Sequence, residues 1–226
     1  MKLVLLPGLD GTGDMFADFI RALDGLEAQT IPYPSHREMS YADHERHARN
    51  LLPHDEPFAL LGESFSGPVA LSIAAAAPAN LRGLILCCSF AVNPIRTLGP
   101  LSRLVARFPA VKIPPGLFGP LLYGGYGTPA LRKLHSRAMS RVSPAGLPGR
   151  VASALGVDYR QRLRDVRVPM LYLLAKGDRL IPRSALQEIM RVRADVHVAE
   201  FEAPHFLLQT RAREAANQVR LFLDTL

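Results

Sequence analysis

Ser64 stands where an apolar segment gives way to an alanine-rich one, and both of its second neighbours are small. Gly62 lies two residues before it, and Ser66 lies two residues after it. A serine in a sharp turn between a buried strand and a helix needs small second neighbours, because the turn leaves no room for larger side chains. Such a turn presents the hydroxyl at the C-terminal edge of a parallel sheet, where ligands bind in open α/β folds. The indicated chemistry is nucleophilic attack by a serine.

A serine hydroxyl becomes a strong nucleophile only beside a base, which is itself oriented by a carboxylate. Asp178 follows the apolar segment Met170–Ala175, and His205 follows the apolar segment Val196–Phe201. The order along the chain is therefore serine, acid, base, and each residue comes directly after a predicted strand. We predict a catalytic triad of Ser64, Asp178 and His205.

Simpler roles are open for each of these residues. Ser64 could be an ordinary residue at a helix N-terminus, and Asp178 could cap the turn before Pro182. Glu63 should leave the turn sideways, and it is given no catalytic role. Three other acidic residues near the base could take the place of Asp178: Asp195, Glu200 and Glu202.

Strand-like and helix-like segments alternate along most of the chain. The predicted strands are Lys2–Leu6, Ala28–Ile31, Phe58–Leu61, Leu84–Cys88, Met170–Ala175 and Val196–Phe201. The predicted helices are one capped by Asp14, then Ser40–Leu52, Ser66–Ala77, Ser184–Val192 and Phe206–Leu223. His44 and His47 are expected on the solvent side of the second helix. This alternation predicts an α/β fold with a reduced, mostly parallel sheet of about six strands and helices on both faces.

Residues 91–160 interrupt the alternation with many prolines and glycines. The interval is too long for a plain loop in a compact domain, and it contains segments with a helical pattern, such as Leu101–Phe108 and Ala130–Arg141. We therefore predict a single domain over residues 1–226, with a helical lid inserted at 91–160.

Positive charge is concentrated in the middle of the chain. Residues 91–167 hold eleven Arg and two Lys against two acidic residues, a balance of +11, whereas the remainder balances to −4. No aromatic-interleaved basic stripe accompanies this charge, so nucleic-acid binding is not predicted. A basic lid favours an anionic substrate or an acidic carrier protein; a solvated, arginine-rich surface is the alternative.

The two cysteines, Cys87 and Cys88, are adjacent in an apolar segment and are expected to be free thiols in a reducing compartment. The N-terminal apolar segment is too short for a signal peptide, and no segment is long enough to span a membrane. These features predict a cytoplasmic protein. Metal-ligand spacing is absent, and the glycine-rich loop Gly8–Gly13 lacks the Lys-Ser/Thr of a nucleotide loop, so neither a metal nor a cofactor is expected.

Four motifs resemble the α/β-hydrolase superfamily. They are Leu-Leu-Pro-Gly-Leu at 5–9, Gly-Glu-Ser-Phe-Ser-Gly at 62–67, Lys-Gly-Asp at 176–178 and Ala-Pro-His at 203–205. The resemblance covers essentially the whole chain, and within the superfamily it is to small lidded esterases such as the pimeloyl–acyl-carrier-protein methyl esterases. Pro7-Gly8 replaces the usual His-Gly, Ser66 replaces the second glycine of the serine motif, and two N-terminal strands are missing.

The resemblance implies an ester-cleaving serine hydrolase that needs no cofactor. It assigns the oxyanion hole to the backbone N–H groups of Leu9 and Phe65. The same triad also serves acyl thioesterases and acyltransferases, because the fold does not determine the reaction. Some members of the fold bind ligands without catalysis, which is a further alternative.

Overall fold

A computed structural model describes residues 1–94, 119–143 and 146–226. Six parallel strands form one sheet in the order β2-β1-β3-β4-β5-β6. Their bounds are β1 Lys2–Leu6, β2 Ala28–Thr30, β3 Phe58–Glu63, β4 Leu81–Cys87, β5 Met170–Ala175 and β6 His197–Phe201. All six predicted strands are present, with β1 and β5 at the predicted bounds, so the predicted fold class is confirmed.

The register of the sheet brings the carboxyl ends of its central strands to one edge. Leu6 of β1 pairs with Gly62 of β3, and Glu63 of β3 pairs with Cys87 of β4. Every residue of β3 and β5 is buried, as expected for strands covered on both faces. The loops that follow these strands therefore start close together.

Helices cover both faces of the sheet. One face carries α2 (Tyr41–Arg49), α3 (Gly67–Ala75) and α8 (Arg183–Met190), and the other carries α1 (Ala17–Ala22), α9 (Leu207–Thr210) and α10 (Ala212–Leu223). Alternate residues of β1 belong to the two cores: Val4 and Leu6 face one, and Leu3 and Leu5 face the other. This division follows from the two-residue repeat of a strand.

Between β4 and β5, the described residues form four more helices: α4 (Gly119–Leu122), α5 (Pro129–Ser140), α6 (Gly146–Gly156) and α7 (Arg160–Asp165). Helix α5 matches the predicted Ala130–Arg141, and the Thr128 hydroxyl caps it by accepting from the Leu131 N–H at 3.1 Å. The helix predicted at Leu101–Phe108 lies outside the described residues. The action of residues 91–160 as a lid stays a prediction.

Two predictions about helix 1 and helix 2 are wrong. Asp14 is not an N-cap: it begins a 3₁₀ turn whose cap position is Gly13, and its carboxylate accepts from Arg141 at 2.6 Å. His44 is not on the solvent side but is fully buried, with its ring 4.5 Å from that of Tyr33. His44 lies three residues after Tyr41, on the face of α2 that packs against the core. Packing of this face, and not the polarity of the side chain, therefore determines which residues of α2 are buried.

None of the helices in the described ranges is long and apolar enough to cross a lipid bilayer.

Candidate active site

The turn after β3 is as tight as the sequence predicts. Ser64 has a left-handed backbone with φ of +48°, a rare conformation for a residue with a side chain. A Cβ atom at Gly62 would lie 2.8 Å from both the Ala70 Cβ and the Ser66 carbonyl oxygen. Because real Cβ atoms do not approach other atoms so closely, position 62 requires glycine. Helix α3 starts directly after the turn and leaves the Ser64 hydroxyl at the edge of the sheet.

The structure brings the three predicted triad residues into one chain of hydrogen bonds. His205 Nε2 lies 2.9 Å from Ser64 Oγ, and His205 Nδ1 lies 2.7 Å from Asp178 Oδ2. The other carboxylate oxygen, Asp178 Oδ1, accepts from the backbone N–H groups of Leu180 and Ile181 at 2.8 Å each. The carboxylate is thus held on one side and directed at the imidazole on the other.

The three alternative acids are engaged elsewhere. Each is paired with a basic side chain: Asp195 with Arg193, Glu200 with Arg183 and Glu202 with Lys176. Of these three residues and Asp178, it is Asp178 that contacts His205.

The loop after β1 (Pro7–Gly13, here the β1 loop) passes against Ser64. A Cβ atom at Gly8 would lie 3.9 Å from the Ser64 Cβ and 3.6 Å from a carboxylate oxygen of Glu63. On the side of α2, the Tyr41 hydroxyl donates to the Phe65 carbonyl oxygen at 3.0 Å, which holds the residue after Ser64. Leu9 follows Gly8, which lies against Ser64, and Phe65 follows Ser64 in the chain; the use of their N–H groups as oxyanion donors stays a prediction.

The Ser66 side chain has a polar role that its small size alone does not indicate. It is fully buried, and its hydroxyl donates to the Pro7 carbonyl oxygen. Since the single Ser66 proton is used there, the Tyr33 hydroxyl donates to Ser66 Oγ at 2.7 Å. A glycine at this position would leave the Pro7 carbonyl without that donor. Serine in place of the usual glycine was the only sequence signal for this link.

Ser89, which sequence reasoning missed, lies just after β4 and supports the turn at Ser64. Its hydroxyl donates to the Ser64 carbonyl oxygen at 2.6 Å, and the Tyr172 hydroxyl donates to the Ser89 carbonyl at 2.6 Å. A Cβ atom at Gly67 would lie only 1.7 Å from Ser89 Oγ. The glycine after Ser66 therefore makes room for a hydrogen bond that holds the Ser64 backbone.

Glu63 turns into the protein beneath the β1 loop. Its side chain is buried and accepts from Gln209 Nε2 at 3.0 Å. Burial raises the pKa of the Glu63 carboxyl to about 7, and the nearby negative charge of Asp10 adds to this. Glu63 is thus close to its protonation midpoint at neutral pH, although it makes no hydrogen bond to the triad.

Cys88 is the third member of a group with Asp178 and His205 whose potential ligand atoms all lie within 4.8 Å of one another. Burial raises the pKa of its thiol, whereas a metal requires the thiolate. His205 Nδ1 is already hydrogen-bonded to Asp178. The donor chemistry of this group therefore fits a hydrogen-bonded triad better than a resident metal.

A cavity of about 170 Å³ lies beside the loops that carry Asp178 and His205. Gly177 and Pro204, which precede Asp178 and His205, line it together with Tyr126 from the segment between β4 and β5. Its lining does not include Ser64, so this cavity flanks the triad rather than holding the reacting bond.

Comparison with known proteins identifies the fold family. Residues 3–218 match the model of the alpha/beta hydrolase family. No curated protein sequence matches the chain. A lipase-esterase related protein from Clostridium acetobutylicum superposes with a TM-score of 0.82 at 16% identity, over 98% of this chain and 93% of that one. A thermophilic esterase from Thermogutta terrifontis superposes with a TM-score of 0.77 at 20% identity, over 100% of this chain and 90% of that one. The enol-lactonase from Burkholderia xenovorans superposes with a TM-score of 0.73 at 15% identity, over 99% of this chain and 91% of that one. At such identities the likeness establishes the fold alone.

We expect Ser66→Gly and Ser66→Ala to fold with a reduced free energy of unfolding. Each loses the bonds to Pro7 and Tyr33, and unsatisfied buried groups cost about 1–3 kcal/mol. Tyr33→Phe, which removes one of these bonds, should cost less. Ser66→Val should cost most, because its methyl groups enter a fully packed turn. Urea unfolding of the four variants checks this order, and a Ser66→Val protein as stable as the wild type would contradict it.

We expect Glu63→Gln to change how stability depends on pH. The folded pKa of about 7 exceeds the ordinary value of 4.5, so the folded protein holds more protons than the unfolded chain between these values. Glu63 therefore contributes stability below pH 4.5 that is lost as the pH rises through 7. Urea unfolding should show Glu63→Gln gaining on the wild type across this window, by on the order of 3 kcal/mol above pH 7.

Glu214→Gln, the same substitution at an exposed position of α10, provides the control for this experiment and should show no gain of this size on the wild type. Burial lowers the pKa of His44 to about 4, an effect of opposite sign that is common to all three proteins and cancels in the differences. A constant difference between Glu63→Gln and the wild type from pH 4 to 8 would show that Glu63 does not titrate in this window.

Proposed function

The chain belongs to the alpha/beta hydrolase family, and we propose that it cleaves carboxylic esters through an acyl-enzyme on Ser64. The observation that carries this proposal is the hydrogen-bonded series Ser64–His205–Asp178 at the carboxyl edge of the sheet. Such a series supplies a nucleophile, a base in contact with it, and a carboxylate that orients the base.

In the first half of the reaction, His205 Nε2 takes the hydroxyl proton as Ser64 Oγ attacks the ester carbonyl carbon. The carbonyl oxygen becomes negatively charged and accepts from the N–H groups of Leu9 and Phe65. His205 then gives its proton to the leaving alcohol oxygen, the ester bond breaks, and the acyl group stays on Ser64. One such N–H donor typically contributes about 3 kcal/mol to transition-state stabilisation.

In the second half, water takes the place of the alcohol. His205 accepts a proton from the water as its oxygen attacks the acyl carbon, and the same N–H groups hold the charged oxygen. The proton then returns to Ser64 Oγ as the acid product leaves, which restores the enzyme. Both halves use one base in one position.

Asp178 supports the base without exchanging protons. Its carboxylate accepts from His205 Nδ1, which selects the tautomer whose Nε2 is free to accept from Ser64. The N–H groups of Leu180 and Ile181 fix the carboxylate itself. A shift of this side chain would therefore turn the imidazole away from Ser64.

The substrate class is proposed from charge. Arg132, Lys133 and Arg137 are exposed on α5, in the segment that carries the +11 balance. We propose that the acyl substrate is anionic or is presented by an acidic carrier protein. Thioester cleavage and acyl transfer use the same steps with another leaving group or acceptor, and acyl thioesters assayed beside esters distinguish them. The free, buried Cys87 and Cys88 support a cytoplasmic site of action.

Substitution of the triad should abolish most activity without loss of the fold. We expect Ser64→Ala and His205→Ala to lower kcat on a p-nitrophenyl ester by roughly 10³- to 10⁶-fold. Asp178→Asn should cost at least about 10²-fold, because the imidazole then adopts the wrong tautomer. Steady-state rates and circular dichroism on the same samples provide the measurement.

Asp195→Asn and Glu202→Gln serve as matched controls and should keep full activity, since their carboxylates are paired with Arg193 and Lys176. Full activity in Asp178→Asn with loss in either control would reassign the acid. A fluorophosphonate probe should label the wild type at Ser64 in stoichiometric amount. Failure to label would favour a binding protein without catalysis.

Salt should weaken the reaction of anionic substrates selectively. Screening shortens the reach of surface charge to about 8–10 Å at physiological ionic strength. We expect kcat/KM for an anionic or carrier-linked ester to fall steeply from low to moderate salt, while a small neutral ester changes little. Neutralising Arg132, Lys133 and Arg137 together should mimic high salt for the anionic ester alone. Identical salt curves for the two esters would exclude steering by this surface.

A further inference from the structure

Arg150 is buried to an extent that is rare for an arginine. It belongs to α6, and only 1% of its surface is exposed. No carboxylate in the described residues comes within ion-pair distance of its guanidinium, although the charge of Asp10 is near enough to act on it. A buried charge without a paired ion is costly unless its N–H groups are used in hydrogen bonds. What Arg150 binds therefore indicates why it is there.

Its hydrogen bonds go to backbone carbonyl groups that border the candidate active site. One terminal nitrogen, Nη1, donates to the carbonyl oxygens of both Leu9 and Asp10 at 2.8 Å. The other, Nη2, donates to the Pro34 carbonyl at 3.2 Å. Two of the three acceptors belong to the β1 loop, which contains the proposed Leu9 donor. The planar guanidinium fixes the orientation of these peptide groups, which a single ammonium cannot do.

The β1 loop needs anchors because it is rich in glycine. Gly11 and Gly13 have φ values of +69° and +78°, conformations that glycine adopts easily but also leaves easily. A Cβ atom at Gly11 would lie 2.4 Å from Arg150 Nη1, so the glycine also makes room for the guanidinium. The loop and the arginine are thus shaped for each other.

Helix α6 is seated beside the loop by contacts of its own. The Ser143 hydroxyl, just before the helix, donates to the Ser35 carbonyl oxygen. A Cβ atom at Gly149 would lie 2.5 Å from Glu38 Cγ, so the helix backbone packs closely on the chain that follows β2. The position of Arg150 is therefore determined by the docking of α6.

We propose that Arg150 is a positioning residue that holds the β1 loop in the orientation that presents the Leu9 N–H to the reacting carbonyl. This inference rests on the proposed ester-cleaving function. Oxyanion donors must lie about 2.7–3.1 Å from the charged oxygen, and a misplacement of 1 Å can cost about 10²-fold in rate. The oxyanion site is then complete only when α6 is docked, which couples this helix to catalysis.

The test compares Arg150→Met and Arg150→Lys with Arg164→Met, which removes the same charge from an exposed site on α7. On a small neutral p-nitrophenyl ester, we expect Arg150→Met to lower kcat by about 10- to 100-fold with KM changed less than about 3-fold. Arg150→Lys should retain more activity, because its ammonium can still reach part of the carbonyl set. Arg164→Met should match the wild type.

A trifluoromethyl ketone separates this role from a general loss of structure. Ser64 oxygen adds to its carbonyl carbon, the Ser64 proton moves to His205, and the former carbonyl oxygen carries the negative charge. Its affinity therefore depends on the oxyanion donors. We expect the inhibition constant in Arg150→Met to rise by the same factor by which kcat/KM falls. A fall in kcat/KM with unchanged ketone affinity would overturn the proposal.

Hydrogen exchange tests the anchoring without any reaction. Mass spectrometry of peptides that cover Pro7–Gly13 should show faster exchange in Arg150→Met than in Arg164→Met, and an intermediate rate in Arg150→Lys. Unchanged exchange in a folded Arg150→Met protein would overturn the proposal, and if that variant does not fold, Arg150→Lys decides by the same comparison. If the wild type neither cleaves esters nor binds the ketone, the proposed function fails, whereas the exchange rates still show whether Arg150 anchors the loop.

Discussion

The left-handed backbone of Ser64 is held between β3 and α3 by contacts from several parts of the chain. A strained residue of this kind costs on the order of 1–3 kcal/mol and persists only where its surroundings determine it. Here Gly62 lets α3 approach, Gly67 gives room to Ser89, and the Ser89 hydroxyl binds the Ser64 carbonyl. The backbone conformation of Ser64 is therefore a consequence of packing between two strands and a helix.

The parallel sheet brings Ser64 together with residues from other loops. Because all six strands run in one direction, the loops after β1, β3, β5 and β6 meet at one edge. These loops carry Leu9, Ser64, Asp178 and His205, which are separated by up to 196 residues in sequence. The fully buried central strands keep these loops in register, so the 2.9 Å and 2.7 Å hydrogen bonds of the triad rest on apolar packing beneath them.

Behind the triad lies a layer of buried polar groups that fixes the β1 loop. Ser66 and Tyr33 hold it at Pro7, Arg150 binds it at Leu9 and Asp10, and Glu63 lies beneath it. Such groups stabilise one arrangement strongly, because each misplaced partner leaves an unsatisfied donor or acceptor in a dry interior. This layer explains how a loop rich in glycine is held in one conformation beside Ser64.

The amino-acid pattern alone predicts the alternation of strands and helices, the tight turn at Ser64, and the places of Asp178 and His205 after their strands. These depend on apolar periodicity and on short motifs, which are local properties of the chain. Only packing between distant parts of the chain accounts for the burial of His44, the pairing of Asp14 with Arg141 and the hydrogen bonds of Ser89. Arg150 is the clearest case: in sequence it is one of many arginines in a basic segment, and its burial depends on carbonyl groups about 140 residues away. Contacts at such separations follow from how the layers pack, which no local pattern encodes.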